Sequence, residues 1–158
     1  MQFPLRRVVT GHDAQGRSKV VFDDAGAPVV SKRSGHQSNV VWTSTGFPVD
    51  NDSDTDTAAA KVETTLTDGT IFRIMRIEPG VAPRRHRSDS IDYLVVLSGE
   101  VTMELDIGSV HLKTGDTLVQ RGTMHNWVVT GSEPCIMAVV LIDAKSATAQ
   151  GKSLSASG

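Results

Sequence analysis

The stretch GVAPRRHRSDSIDYLVVLSGEVTMELDIGSVHLKTGDTLVQRGTMH, residues 80–125, decides the fold. Short apolar runs, Ile91–Leu97, Val101–Leu105, Val110–Leu112 and Thr117–Gln120, are cut by turns at Ser98-Gly99 and Gly115-Asp116. Many short strands at near-regular spacing imply a sandwich or closed barrel. No window carries a helical period, which a parallel sheet would need between its strands. Within the stretch stand His86, Asp92 and His125. They are far apart in sequence, so strand pairing would have to bring them together, as in a metal pocket inside a β-barrel.

Outward from this centre the β pattern continues. Val62–Leu66, an Asp68-Gly69 hairpin signal, Ile71–Ile77 and a Pro79-Gly80 turn precede it; His125–Thr130 and Cys135–Ile142 follow. Near the N-terminus, Arg6–Thr10 and Lys19–Phe22 read as two strands around a turn-rich interval, and Asn39–Thr43 as a third. Residues 24–38, with Gly26, Pro28 and Gly35, read as loop or edge. Asp50, Asp52, Asp54 and Asp56 alternate, but neither calcium-loop register supplies the required glycine, so they read as a solvated, mobile loop. Residues 144–158 are small and polar and read as a disordered tail. The expected organisation is therefore N-terminal strands and loop over 1–60, a barrel over 61–143 and a tail over 144–158.

The 158 residues suit one domain, and 39% apolar content can bury a core. A net charge of −2 gives no basic footprint for nucleic acid, and no apolar run is long enough to span a membrane. Met1–Arg6 has no apolar signal core, and the single cysteine, Cys135, has no partner for an internal disulfide, so a cytoplasmic setting is expected. Cys135 opens an apolar strand and reads as a core residue rather than a nucleophile.

Strand alternation puts Asp92, Leu94 and Val96 on one face and Tyr93, Val95 and Leu97 on the other; His125 shares its face with Trp127 and Val129. If the first set points inward, a polar cluster meets an apolar, aromatic wall. Leu94, Trp127, Trp42, Gln120 and Ser88 are the expected pocket residues, with Ser88 holding a water or substrate oxygen. Arg73 and Arg76 are an odd number of positions apart, so one of them is expected to line the cavity and pair with a substrate carboxylate. Asp92, His125, Arg73 and Arg76 are the catalytic candidates. His86, Asp92 and His125 form the expected ligand set for a divalent ion, and two imidazoles with one carboxylate suit Fe, Zn, Mn or Ni alike. His12, His36 and His111 read as surface or structural.

The spacing of Gly80, His86 and Gly99 resembles the first motif of the cupin superfamily, which runs glycine, five residues, His, any, His, three residues, Glu, six residues, glycine. Ser88 stands where the second histidine belongs and Asp92 where the glutamate belongs. Gly115-Asp116 followed by Gly122-Thr123-Met124-His125 resembles the second motif, one residue shorter than usual, with Gln120 or Arg121 at a common proline position and Val129 at a common asparagine position. The resemblance spans roughly residues 70–142. It implies a jelly-roll barrel of two antiparallel sheets with an N-terminal strand extension, and a homodimer, since such N-terminal arms often add strands to a partner. The same run is similar to a group of small cupins found beside bacterial and fungal aromatic and polyketide pathways, some assigned decarboxylation or dehydration. Three functions stay open: a metal-assisted lyase or decarboxylase, or Fe(II) dioxygenase, acting on a small aromatic or oxygenated acid; a metal-free acid–base enzyme; and a non-catalytic small-molecule-binding cupin.

Overall fold

The computed structural model describes residues 5–26, 28–30, 33–53 and 55–158; Met1–Pro4 of the N-terminal segment and Asp54 of the acidic loop lie outside this set. Among the described residues thirteen strands form: β1 (Arg7–His12), β2 (Ser18–Asp24), β3 (Pro28–Val30), β4 (His36–Thr45), β5 (Gly69–Ile77), β6 (Ser90–Ser98), β7 (Glu100–Glu104), β8 (Ser109–Lys113), β9 (Thr117–Arg121), β10 (Asn126–Val128), β11 (Cys135–Asp143), β12 (Ala147–Ala149) and β13 (Lys152–Leu154). A six-stranded sheet, β3-β4-β5-β11-β6-β9, faces a three-stranded sheet, β10-β7-β8, and the outer hairpins β1-β2 and β12-β13 stand apart. The all-β, two-sheet barrel is thus formed. At the β6–β7 turn Gly99 has φ 75°. A Cβ there would lie 2.5 Å from the Pro134 carbonyl oxygen, so only glycine lets the turn close on the neighbouring strand.

Register explains the interior. Cross-strand partners on the inner face of the large sheet fall into rows: Thr43, Ile71, Leu141, Asp92, Gln120; then Val40, Arg73, Val139, Leu94, Leu118; then Ser38, Met75, Met137, Val96; then His36, Ile77, Cys135. Ile71, Val101, Cys135 and Met137 are fully buried, and Val62 and Leu66 pack against this core. Cys135 is a core residue as expected; burial pushes its thiol up to about 11, which makes it inert.

Four expectations need correction. Residues 62–66 form no strand; they are irregular chain leading into a turn at residues 67 and 68, with the Gly69 N–H donating to the Leu66 carbonyl. Residues 24–38 hold an edge strand, β3, as the loop-or-edge reading allowed, but β4 already begins within them at His36 and both join the main sheet, so residues 1–60 contribute two strands to the chain's own barrel. The tail after residue 144 is ordered: β12 and β13 pair, and beyond them Ser157 and Arg87 exchange both main-chain hydrogen bonds at 2.8 and 3.0 Å. Finally, Asp56 is no free member of a solvated loop. With Asp24 it clasps the buried Arg7 guanidinium, both ion pairs at 2.6 Å, and its carboxylate also accepts from the Ala58 N–H at the start of a 3₁₀ turn, Thr57–Ala59.

Candidate functional site

His86 and His125 meet through the backbone. The His86 N–H donates to the His125 carbonyl at 2.9 Å and the His125 N–H to the His86 carbonyl at 3.0 Å, an isolated antiparallel pair that sets the two imidazoles with centroids 4.3 Å apart. His86 Nδ1 lies 3.1 Å from the Arg84 carbonyl, and His125 Nδ1 lies 2.9 Å from the Thr123 carbonyl. A carbonyl only accepts, so each Nδ1 carries the proton and each Nε2 keeps a lone pair. Trp127 stands edge-on to His125, centroids 5.7 Å apart. Burial holds the His86 pKa down at about 4 and lowers that of His125, so both rings are neutral at pH 7.

Asp92 enters from β6, paired in register with Gln120 of β9. Ser90 donates its hydroxyl proton to the Asp92 carboxylate at 2.6 Å, and the Ser88 and Ser90 hydroxyls are 2.9 Å apart, so a buried chain runs Ser88–Ser90–Asp92. Burial raises the Asp92 carboxyl to about 6, with the Ser90 hydrogen bond and the Arg73 charge pulling the other way. Arg73 donates through Nη2 to the Glu63 carbonyl at 2.8 Å, while its Nε is buried with no partner. Gln120 donates to the Thr123 carbonyl at 3.2 Å and leaves its Oε1 buried and unpaired.

These groups line a cavity that opens to solvent. His86, Ser88, Asp92, Leu94, Gln120, His125, Trp127 and Arg73, all expected from sequence, are in its wall. Two candidates are not. Arg76 turns to the opposite face of β5 and pairs with Glu78, as the odd spacing demands of one of the two arginines. Trp42 lies outside, in a groove with Val9, Phe22 and Phe72. The reason is a bulge: Val40 opposes Arg73 but Trp42 opposes Phe72, so the extra residue Val41 reverses the face. One residue read as surface or structural belongs to the site. His36, paired with Ile77 on the inner face of β4, lines the cavity and has its Nδ1 buried without a partner. The in-phase alternation His36, Ser38, Val40 is the sequence signal that could have found it. His12 and His111 are exposed as expected, His111 lying 3.3 Å from Glu100.

The expected three-ligand metal set does not assemble. Among the described residues no group of three His, Cys, Asp or Glu side chains converges as an ion site. The two histidines offer Nε2 donors of the right kind, their Nδ1 protons held by carbonyls, but Asp92 is committed to Ser90 and stands in the row with Gln120 rather than completing the pair.

The family model described as a cupin domain matches residues 73–141. The cupin-domain-containing oxidoreductase fogC of Aspergillus ruber (strain CBS 135680) is 35% identical over 158 residues, covering 94% of this chain and 77% of its own. Phomopsin biosynthesis cluster protein C' of Diaporthe leptostromiformis is 39% identical, covering 77% of this chain and 68% of its own. Among solved structures, the polyketide cyclase RemF from Streptomyces resistomycificus superposes with a TM-score of 0.52 at 13% identity, covering 83% of this chain and 78% of its own, a likeness of fold alone. Barrel, motif spacing and relatives alike over most of the chain agree, and the protein belongs to the cupin family.

Proposed function

We propose that this cupin is an acid–base enzyme acting on a small aromatic or oxygenated organic acid, with lyase-type chemistry. One observation carries the reading: two neutral imidazoles with Nε2 unprotonated line the same cavity as a carboxyl whose pKa, about 6, is near neutrality and a guanidinium with an unpaired buried N–H. Arg73 binds the substrate carboxylate and orients it. Nε2 of His125 removes a proton from the carbon beside the carboxyl, and Asp92, when protonated, gives its proton to a leaving hydroxyl. The C–H electron pair becomes the new C=C bond, the C–O pair leaves with the hydroxyl, and the products are an unsaturated acid and water. His125 Nε2 then gives its proton up to solvent and the Ser88–Ser90 chain returns one to Asp92, which restores both groups. Gln120 Oε1 accepts a hydrogen bond from a substrate hydroxyl.

A second reading draws on the oxidoreductase names of the relatives and on the paired histidines. His86 and His125 would hold a divalent ion, Fe, Zn, Mn or Ni, which when bound supplies Lewis-acid or oxygen chemistry. Because the donor set lacks a convergent third ligand, no step is assigned to it. A non-catalytic ligand-binding role is the remaining alternative. The test is to incubate the protein with a panel of hydroxylated aromatic and aliphatic acids and follow loss of water or carbon dioxide by mass and ¹H NMR. Turnover that disappears in Asp92→Asn and His125→Gln supports the proposal; a ligand that stabilises the fold yet is recovered unchanged overturns it.

A further inference from the structure

The cavity wall is unequally charged. Arg33, Arg73 and Arg84 all line it, and among the described lining residues Asp92 is the sole carboxylate. Arg73 and Asp92 occupy neighbouring rows of the large sheet, and His36 stands two rows beyond Arg73, where β4 opposes Ile77, with the charges of Arg33 and Arg84 both reaching its imidazole. From Arg73 to Ile77 is four residues of β5, about 13 Å of strand. Arg33 donates to the Ala82 carbonyl, and Arg84 donates to the Gly158 main-chain oxygen at 2.8 Å. Arg84 also fixes the wall through its backbone, its N–H meeting Asn126 Oδ1 at 2.8 Å. Between these guanidiniums stands His36, its Nδ1 buried and unpaired.

The charges feel one another. The Arg33 pKa is lowered by burial and by the Arg84 charge, and that of His36 falls to about 4 through burial and the charges of Arg33, Arg73 and Arg84. An imidazole nitrogen buried without a partner beside like charges is costly. An anion placed among them would relieve both the repulsion and the unmet hydrogen bond.

We propose that His36, Arg33 and Arg84 form a second anion-binding pole, so that the ligand is a dicarboxylate or its equivalent dianion, one carboxylate on Arg73 and the other at this pole. The proposal rests on the reading of Arg73 given above and deepens it by naming the substrate class. His36 is then a binding residue, meeting the ligand at an atom that has no partner within the protein.

Isothermal titration of the full chain with benzoate, isophthalate, terephthalate and adipate tests this. The best of the three dicarboxylates should bind at least roughly tenfold tighter than benzoate. In Arg33→Met/Arg84→Met that advantage should shrink to about twofold or less, and His36→Gln should reduce it in the same direction. Thermal melts confirm folding, and if the double variant does not fold, His36→Gln carries the comparison alone. Benzoate binding that Arg73→Met abolishes, with no dicarboxylate binding more tightly, overturns the second pole and leaves the reading of Arg73 standing. Equal weakening of benzoate and dicarboxylates in the pole variants also overturns it, and failure of all four to bind overturns both readings.

Discussion

Replacing Arg73 by Met keeps most of the length and apolar stem of the side chain and removes the charge from the middle of the cavity. In the protein alone the loss is one hydrogen bond, Nη2 to the Glu63 carbonyl at 2.8 Å, worth about 1 kcal/mol net. Against it stands relief of a guanidinium whose pKa is lowered chiefly by burial and whose Nε has no partner. Removing such a buried charge offsets at least that much. Stability to urea should therefore be unchanged or higher by about 1 kcal/mol. Ligand binding should move the other way. Losing a desolvated guanidinium–carboxylate pair costs about 2–4 kcal/mol, roughly 30- to 1,000-fold in Kd for benzoate by titration calorimetry, while benzamide binding should be little affected. A variant that melts lower yet binds benzoate as before would refute the assignment and make Arg73 a structural residue.

Asp92→Asn should stabilise the protein at pH 7 by about 2–3 kcal/mol in urea unfolding. The folded carboxyl titrates at about 6, above its ordinary 3.8, so the wild type loses stability as pH rises through that interval; the gain from Asn should fade as pH drops from 6 toward 4. Arg7→Met leaves Asp24 and Asp56 facing each other across an emptied site and should cost about 2 kcal/mol, their partial exposure holding it below the usual cost of breaking a buried pair; limited proteolysis should then cut first in the β1–β2 hairpin. The homodimer expected from the family resemblance has an apolar row to use, Trp42, Phe72, Val140, Tyr93 and Val119 across the outer face of the large sheet. Light scattering should give twice the chain mass, and Tyr93→Arg the single mass.

The inner face was legible where alternation is unbroken. Asp92 and Leu94 on β6, Trp127 beside His125, and Arg73 rather than both arginines follow from a period of two, and the spacing of His86 and His125 anticipated a pairing that the backbone makes directly. Trp42 was misplaced because one bulged residue, Val41, reverses parity and leaves no mark in the residue pattern. His36 was passed over because Gly35 and nearby serines disguised the start of β4 as loop. The C-terminal segment could not be read at all: Ser157 is held by main-chain hydrogen bonds to Arg87, and these have no side-chain signature. The metal expectation rested on residue types and on motif positions, whereas convergence depends on register; Asp92, shorter than the glutamate of the family motif, is hydrogen-bonded by Ser90.

The measurement that bears most directly on the acid–base account is elemental analysis of protein purified without an affinity metal column, paired with turnover of the same sample before and after chelation and with His86→Ala and His125→Ala alongside. The account predicts turnover that persists in chelated protein with metal far below stoichiometric. Near-stoichiometric iron, zinc, manganese or nickel that vanishes in both variants, with activity lost on chelation and restored by the same ion, would contradict it.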